Sequence, residues 1–235
     1  MLDLSQNAVT DQLQIGQATH AGRSGKNNED YYGVFSVMTA GGECVVAAVA
    51  DGIGGSVGGE QASRLAINAM HASLNDQLYL ATSLGQRLDQ AIRIANRQIY
   101  EKSQNEPSLA GMGTTVVAVA LDGDRLYVAH AGDSRAYLIR GGRAHQLTLD
   151  HSWAQEAIEA NRITAEEAKT HPNRHVIRRF LGINEEVETD PRVVDPAQAG
   201  GGRAATIASP ILTQPGDAVL LCTDGLTDEV SDEEI

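Results

Sequence analysis

Two cysteines in 235 residues, each inside an apolar run, supply no disulfide framework, and no Cys or His pair has the spacing of a zinc site. Cys44 and Cys222 read as small buried hydrophobes, without the neighbouring basic residues that would activate a thiolate. Positive charge is also scarce. Eighteen Lys and Arg against 31 Asp and Glu leave a formal charge of −13, which provides no basic stripe for a nucleic-acid backbone. No segment reaches the roughly 18 consecutive apolar residues of a membrane span. The opening MLDLSQNAVTDQLQ lacks the basic start and apolar stretch of a secretory signal. The expectation is a cytoplasmic protein with no membrane and no nucleic-acid partner.

The chain length suits one domain over residues 1–235, with residues 1–12 frayed. Short apolar runs, partly β-branched, predict strands at 43–50, 114–121, 125–131, 135–140 and 217–222. Helical spacing recurs from Ala62 to Met70 and again from Leu84 to Ile99. Ser152 with Gln155 and Thr164 with Glu167 form two candidate capping boxes, predicting a third helical region. Asp-Gly at 122–123 and Gly-Gly at 141–142 fall between strand-like runs as hairpin turns, so residues 114–149 read as an antiparallel meander. The Gly, Ala and Pro-rich stretch at 195–210 reads as a surface connection, and no internal repeat is present. Strand, helix pair, meander, helical insert and strand do not alternate as in a parallel sheet, which points to α+β.

Four acidic motifs carry the chemistry: NNED (27–30), VADGIGG (49–55), HAGDSR (130–135) and CTDGLTD (222–228). In three of them the carboxylate lies at or just past the end of an apolar strand. Each is held by a rigid element yet faces a crevice, and several converging there make an all-oxygen site for hard cations such as Mg²⁺ or Mn²⁺. One Asp-Gly alone is an ordinary turn. Asp51-Gly52 and Asp224-Gly225 together are different, because both end strongly apolar strands and burying such carboxylates without a counter-cation is costly. The glycines at 54, 55, 58 and 59 precede a helix starting near Glu60, where a phosphate cradle is one reading. No Lys-Ser/Thr ending or Rossmann fingerprint accompanies them, so a tight metal-binding turn fits better.

Taken in order, NNEDYYGV, VVAAVADGIGGSVGGEQAS, GMGTTVVAVALDGDRLYVAHAGDSRAYLIRGGRAHQLTLDHS, HPNRHVIRRFLG and GDAVLLCTDGLTDEVSDEEI resemble a bacterial PPM-type (type 2C) metal-dependent serine/threonine protein phosphatase. The resemblance spans nearly all of residues 15–235. It implies a four-layer α-β-β-α sandwich of two antiparallel sheets flanked by helix pairs, with residues 150–180 as a flap. It also implies two core ions, Mn²⁺ or Mg²⁺, and a third, looser one. By the resemblance, Asp51 bridges the core ions, with the Gly52 carbonyl and Glu29 on one and Asp224 on the other. Asp30 would hold water, and Asp133 with Asp224 would hold the third ion. The implied reaction is in-line attack on a phosphoserine or phosphothreonine by a water or hydroxide bridging two divalent cations. The implied partner is a phosphoprotein modified by a serine/threonine kinase, met by a monomeric enzyme.

Three departures stand against that pattern. Where the family has an arginine four residues before the motif glutamate, this chain has Gly25, flanked by Arg23 and Lys26, which become the candidates for gripping substrate phosphate. Ile53 occupies the place where many eukaryotic members carry a histidine. The family pattern continues past the equivalent of Ile235 to a strand with an Asp-Asn metal ligand. Two alternatives follow: a catalytically weakened PPM-fold regulatory or binding protein, and a phosphohydrolase of small molecules. His151, His171 and His175, in or near the flap, read as structural or surface residues, with substrate contact as the alternative.

Overall fold

A computed structural model describes residues 13–23, 25, 27–55, 57–76, 82–194 and 206–235. Residues 1–12, Lys26 and residues 195–205, which hold most of the expected surface connection, lie outside them.

The chain opens with a hairpin of β1 (Asp30–Thr39) and β2 (Gly42–Ile53), turning at Gly42 with φ +125°, a backbone suited to glycine. The register sets Asp30 opposite Asp51. The apolar runs predicted β2 but not β1. In DYYGVFSVMT one side carries Tyr31, Phe35 and Val37 toward the helices, while the other side carries Asp30, Tyr32 and Ser36, as in an edge strand.

Helices α1 (Gly58–Leu74) and α2 (Leu84–Asn105) follow as a pair, both longer than the apolar spacing alone indicates. A capping box fixes the start of α2. Ser83 Oγ accepts from Gln86 N at 3.3 Å, and Ser83 N donates to Gln86 Oε1 at 3.2 Å. Next come β3 (Gly113–Thr114), β4 (Val116–Asp122), β5 (Arg125–Ala131), β6 (Arg135–Arg140) and β7 (Arg143–Gln146). The insert carries α3 (Trp153–Glu159) and α4 (Ala165–Thr170). The chain then forms β8 (Arg192–Val194), β9 (Thr206–Ala208), β10 (Ile211–Leu212), β11 (Ala218–Cys222) and α5 (Asp224–Thr227).

Two main antiparallel sheets result, one ordered β1-β2-β4-β5-β10 with β3 on β2, the other β11-β6-β7; β8 and β9 form a small third ladder. The stretch 114–149 is therefore not one meander. Its two hairpins, β4-β5 and β6-β7, belong to different sheets, and the chain crosses between them at Gly132–Ser134. Hairpin signals give local pairing but do not say that consecutive hairpins share a sheet.

Strand alternation divides the core. Val46, Ala48, Ala50, Val116, Ala118 and Ala120 face α1 and α2, where they meet Ala66, Met70, Leu88, Ile92 and Ile99. Val117, Val119, Val128, Ala136 and Leu138 pack between the two sheets, with Ala47 and Val49 at the margin. β2 and β4 are thus buried on both faces, which explains their nearly continuous apolar sequence. Arg87 is buried as well. Its Nη1 donates to Met38 O at 2.8 Å and its Nη2 to Leu74 O, tying the end of β1 and the end of α1 to α2.

The insert has the predicted caps: Ser152 Oγ accepts from Gln155 N at 3.2 Å, and Thr164 with Glu167 forms the full reciprocal box. It is fastened at its base, where Trp153 N donates to Val176 O (2.8 Å) and Arg178 N to His151 O (2.7 Å).

Candidate active site

Side-chain parity along β2 decides where the acids point. Asp51 shares the face of Ala47 and Val49, so it lies at one end of the layer between the sheets, with Asp30 opposite it on the same face. Asp133 sits in the corner where the chain passes from β5 to β6. Asp224 opens α5 directly after β11, in the second sheet. Four carboxylates from four places in the sequence therefore reach one end of the sandwich.

Their mutual field reflects the approach. Burial, then the charges of Asp224 and Asp30 and a hydrogen bond shared with Asp224, push the Asp51 carboxyl up to about 9, with Asp133 adding to the effect. Burial, then Asp150 and Asp224, raise Asp133 to about 7. Asp30 is raised by burial, with a hydrogen bond from Thr223 opposing and Asp224 reinforcing. Like charges so placed resist ionising together without a cation.

The donor set is all oxygen, which fits Mg²⁺ or Mn²⁺ far better than zinc. Among the described residues, however, no three Asp, Glu, His or Cys side chains are drawn onto one point as a finished coordination shell.

Glu29 joins the cluster through its backbone. Its carbonyl accepts from Gly52 N at 3.2 Å and from Ser63 Oγ at 2.6 Å. Its carboxylate lies against Gly59 in the first turn of α1, where a Cβ on Gly59 would overlap it. Gly52 and Gly59 meet backbone to backbone, so a side chain at Gly52 would strike the Gly59 main chain. Gly52 and Gly59 thus serve the close approach of β2 to the start of α1. Arg23 is exposed on the segment leading to β1, and Lys26 lies outside the described residues.

Several supporting residues escaped the sequence reading. Thr115 Oγ1 accepts from Asp51 N (3.1 Å) and shares a 2.6 Å hydrogen bond with Ser134 Oγ, joining β2 to the Asp133 corner. Thr114 Oγ1 donates to Asp51 O at 2.7 Å. Thr223 Oγ1 donates to Asp30 Oδ2 at 2.9 Å, linking β1 to the turn that carries Asp224. Gly-Met-Gly-Thr-Thr held the only hint, two adjacent hydroxyls before an apolar strand. Arg135 grips Asp150 bidentately, Nε to Oδ1 at 2.9 Å and Nη2 to Oδ2 at 2.7 Å, beside Asp133.

Both cysteines are buried and free, and burial pushes each thiol up to about 11, which leaves no thiolate nucleophile near neutral pH. His171 stacks on Trp153 with centroids 4.2 Å apart, and His175 Nδ1 stands 3.7 Å from Asp228 Oδ2. A cavity of about 350 Å³ lies between the insert and the 183–192 segment. Asp150, His151 and Asp190 are among its lining, and none of Asp30, Asp51, Asp133 or Asp224 lines it.

Known proteins resemble this chain in sequence and fold. Residues 17–235 match the family described as Protein phosphatase 2C. The chain is 42% identical over 192 residues to the serine/threonine protein phosphatase PstP of Mycobacterium tuberculosis, covering 80% of this chain but only 33% of that protein. It is 32% identical over 224 residues to the protein phosphatase PhpP of Streptococcus pneumoniae, covering 95% of this chain and 82% of that one.

Among solved structures, the S. agalactiae serine/threonine phosphatase superposes with a TM-score of 0.72 at 31% identity, over 94% of this chain and 81% of that one. The catalytic domain of PstP in complex with two manganese ions superposes with a TM-score of 0.64 at 36% identity, over 88% of this chain and 75% of that one. With two antiparallel sheets, the acidic motifs in order and these relatives, the chain belongs to the protein phosphatase 2C family.

Proposed function

We propose that the protein hydrolyses phosphoserine and phosphothreonine esters in proteins, using Mn²⁺ or Mg²⁺ held at the end of the sandwich. The observation that carries this reading is the convergence of Asp30, Asp51, Asp133 and Asp224, in which burial and like charge raise the carboxyls of Asp30, Asp51 and Asp133 above the usual range. In this reading Asp51, Asp224, Glu29 and the Gly52 carbonyl would hold two core ions, and Asp133 with Asp224 would hold a third.

Bound divalent cations acidify water and neutralise charge on phosphoryl oxygens. The chain's own residues supply position. Thr115 and Thr114 fix the main chain of Asp51, and Thr223 holds the Asp30 carboxylate so that its other oxygen can accept a hydrogen from the attacking water. Arg23 and Lys26 are the cations available to grip the substrate phosphate. Neither thiol participates. The substrates are cytoplasmic phosphoproteins modified by a serine/threonine kinase, and the enzyme acts on them as a monomer.

The test is hydrolysis of p-nitrophenyl phosphate with added Mn²⁺, followed by a phosphothreonine peptide against sugar phosphates and nucleotides. Asp51→Asn is expected to lower the rate about 100-fold or more. An unchanged rate in Asp51→Asn would overturn the assignment of the site, and preference for a sugar phosphate or nucleotide would overturn the assignment of substrate.

A further inference from the structure

Gly132 leaves β5 with φ +120°, in the region open chiefly to glycine, and a Cβ there would strike the Thr115 side chain. The corner it begins carries Asp133. His151, at the root of the insert, is bonded to it in both directions: His151 N donates to Gly132 O at 2.9 Å, and Gly132 N donates to His151 Nδ1 at 3.1 Å.

The second bond fixes the tautomer. An amide N–H can only donate, so Nδ1 bears the lone pair and the neutral ring keeps its proton on Nε2. The Asp190 carboxylate lies beside the same imidazole, which helps draw its pKa down. Arg192 grips Asp190 from another side, with Nε to Oδ1 at 2.9 Å and Nη2 to Oδ2 at 2.6 Å. Burial pushes the Asp190 carboxyl up, but His151 and the bonds from Arg192 outweigh it and hold the group well below the usual carboxylate range.

The ring has little freedom to tilt. His130 stacks on it with centroids 4.5 Å apart and planes 11° apart, and His130 itself is pinned to Asp190 by paired backbone bonds of 3.1 and 2.9 Å. On the insert side, Arg179 Nη1 stands 3.2 Å from Nε2, a donor facing a donor in this tautomer, so it adds proximity and no hydrogen bond.

We propose that His151, oriented by Asp190, is a positioning residue that sets the Gly132–Asp133 corner and thereby aims the Asp133 carboxylate at Asp51 and Asp224. The proposal rests on the reading of Asp133 as a cation ligand. Outer partners of this kind typically change metal affinity by about 10–100-fold when removed.

Two substitutions separate positioning from simple packing. In His151→Asn the amide oxygen falls near the place of Nδ1 and can still accept from Gly132 N–H. In His151→Gln the amide reaches the place of Nε2 and leaves Gly132 N–H without its acceptor. Mn²⁺ titration calorimetry on the full chain, with Asp133→Asn as reference, reads the effect. Asp133→Asn is expected to lose one Mn²⁺ binding event. His151→Gln is expected to weaken that same event about tenfold or more, while His151→Asn stays within about threefold of wild type. In the metal-free protein, hydrogen exchange at the Gly132 amide is expected to accelerate in the Gln variant only.

Equal Mn²⁺ affinity in the Asn and Gln variants, with the event lost in Asp133→Asn, overturns the positioning claim and leaves the site reading intact. Retention of every Mn²⁺ in Asp133→Asn removes Asp133 from the ligand set and the positioning claim with it. Asp190→Asn keeps the histidine, should the Gln variant fail to fold. Nitrogen NMR is then expected to show Nδ1 gaining proton occupancy, with Mn²⁺ binding weakened as in the Gln variant; an unprotonated Nδ1 with unaltered Mn²⁺ binding overturns the proposal.

Discussion

His130 Nε2 lies 2.8 Å from the Leu149 carbonyl oxygen, and burial followed by the neighbouring His151 pushes the His130 pKa down to about 4. In the unfolded chain the imidazole takes its proton near 6.5. Between these values the unfolded state binds more protons, so the stabilisation is complete above the unfolded value and is lost as pH falls toward 4. Metal-free protein unfolded with urea should lose about 3 kcal/mol at most from this group between about pH 7 and pH 4. His130→Gln should flatten that part of the profile, and an unchanged slope would show that another group governs it. The residue name alone could not foretell this, since the burial comes from packing against Leu149 and Asp190, both distant in sequence.

At the level of elements, close approach explains Gly52 and Gly59, while Gly54 and Gly55, at φ +127° and +70°, serve the turn between β2 and α1. A Cβ at Gly52 meets the backbone of Gly59, which cannot swing aside as a side chain tip can. Gly52→Ala should therefore cost about 3 kcal/mol in chemical denaturation and pull β2 away from α1. Gly16→Ala, with nothing within 4 Å, should leave stability nearly unchanged; equal midpoints for the two variants would refute the contact. The α1 and α2 faces, the capping box at Thr164 and the one-way Ser152 cap were legible because helical periodicity and end-capping are local. β1 was not, because an edge strand with a polar face mixes its signals. The Thr115 to Ser134 link was hidden too, since it joins two loops whose meeting depends on how β2, β4 and β5 pair.

For the whole molecule, stability and the acidic cluster are coupled through pH and metal. Burial and like charges raise Asp51 above its unfolded value, so metal-free protein should lose stability as pH climbs from about 4 toward about 9, opposite in sign to the His130 effect. Divalent cations bind the ionised form and should reverse the loss, by about 2.7 kcal/mol at a hundredfold excess over Kd. Thermal unfolding at about pH 8 with and without Mn²⁺, in wild type and Asp51→Asn, checks this. Asp51→Asn should be more stable than wild type without metal and gain less from Mn²⁺; an equal gain would place the cations elsewhere. Local chemistry by itself determined the apolar strands, the helix caps and the acidic motifs, three of them at strand ends. Which sheet each hairpin joins was decided only in three dimensions, because strand pairing is a contest among distant segments. That decision turned the Gly132–Ser134 crossing into the corner that brings Asp133 to Asp51 and Asp224, and placed His151 and Asp190 behind it.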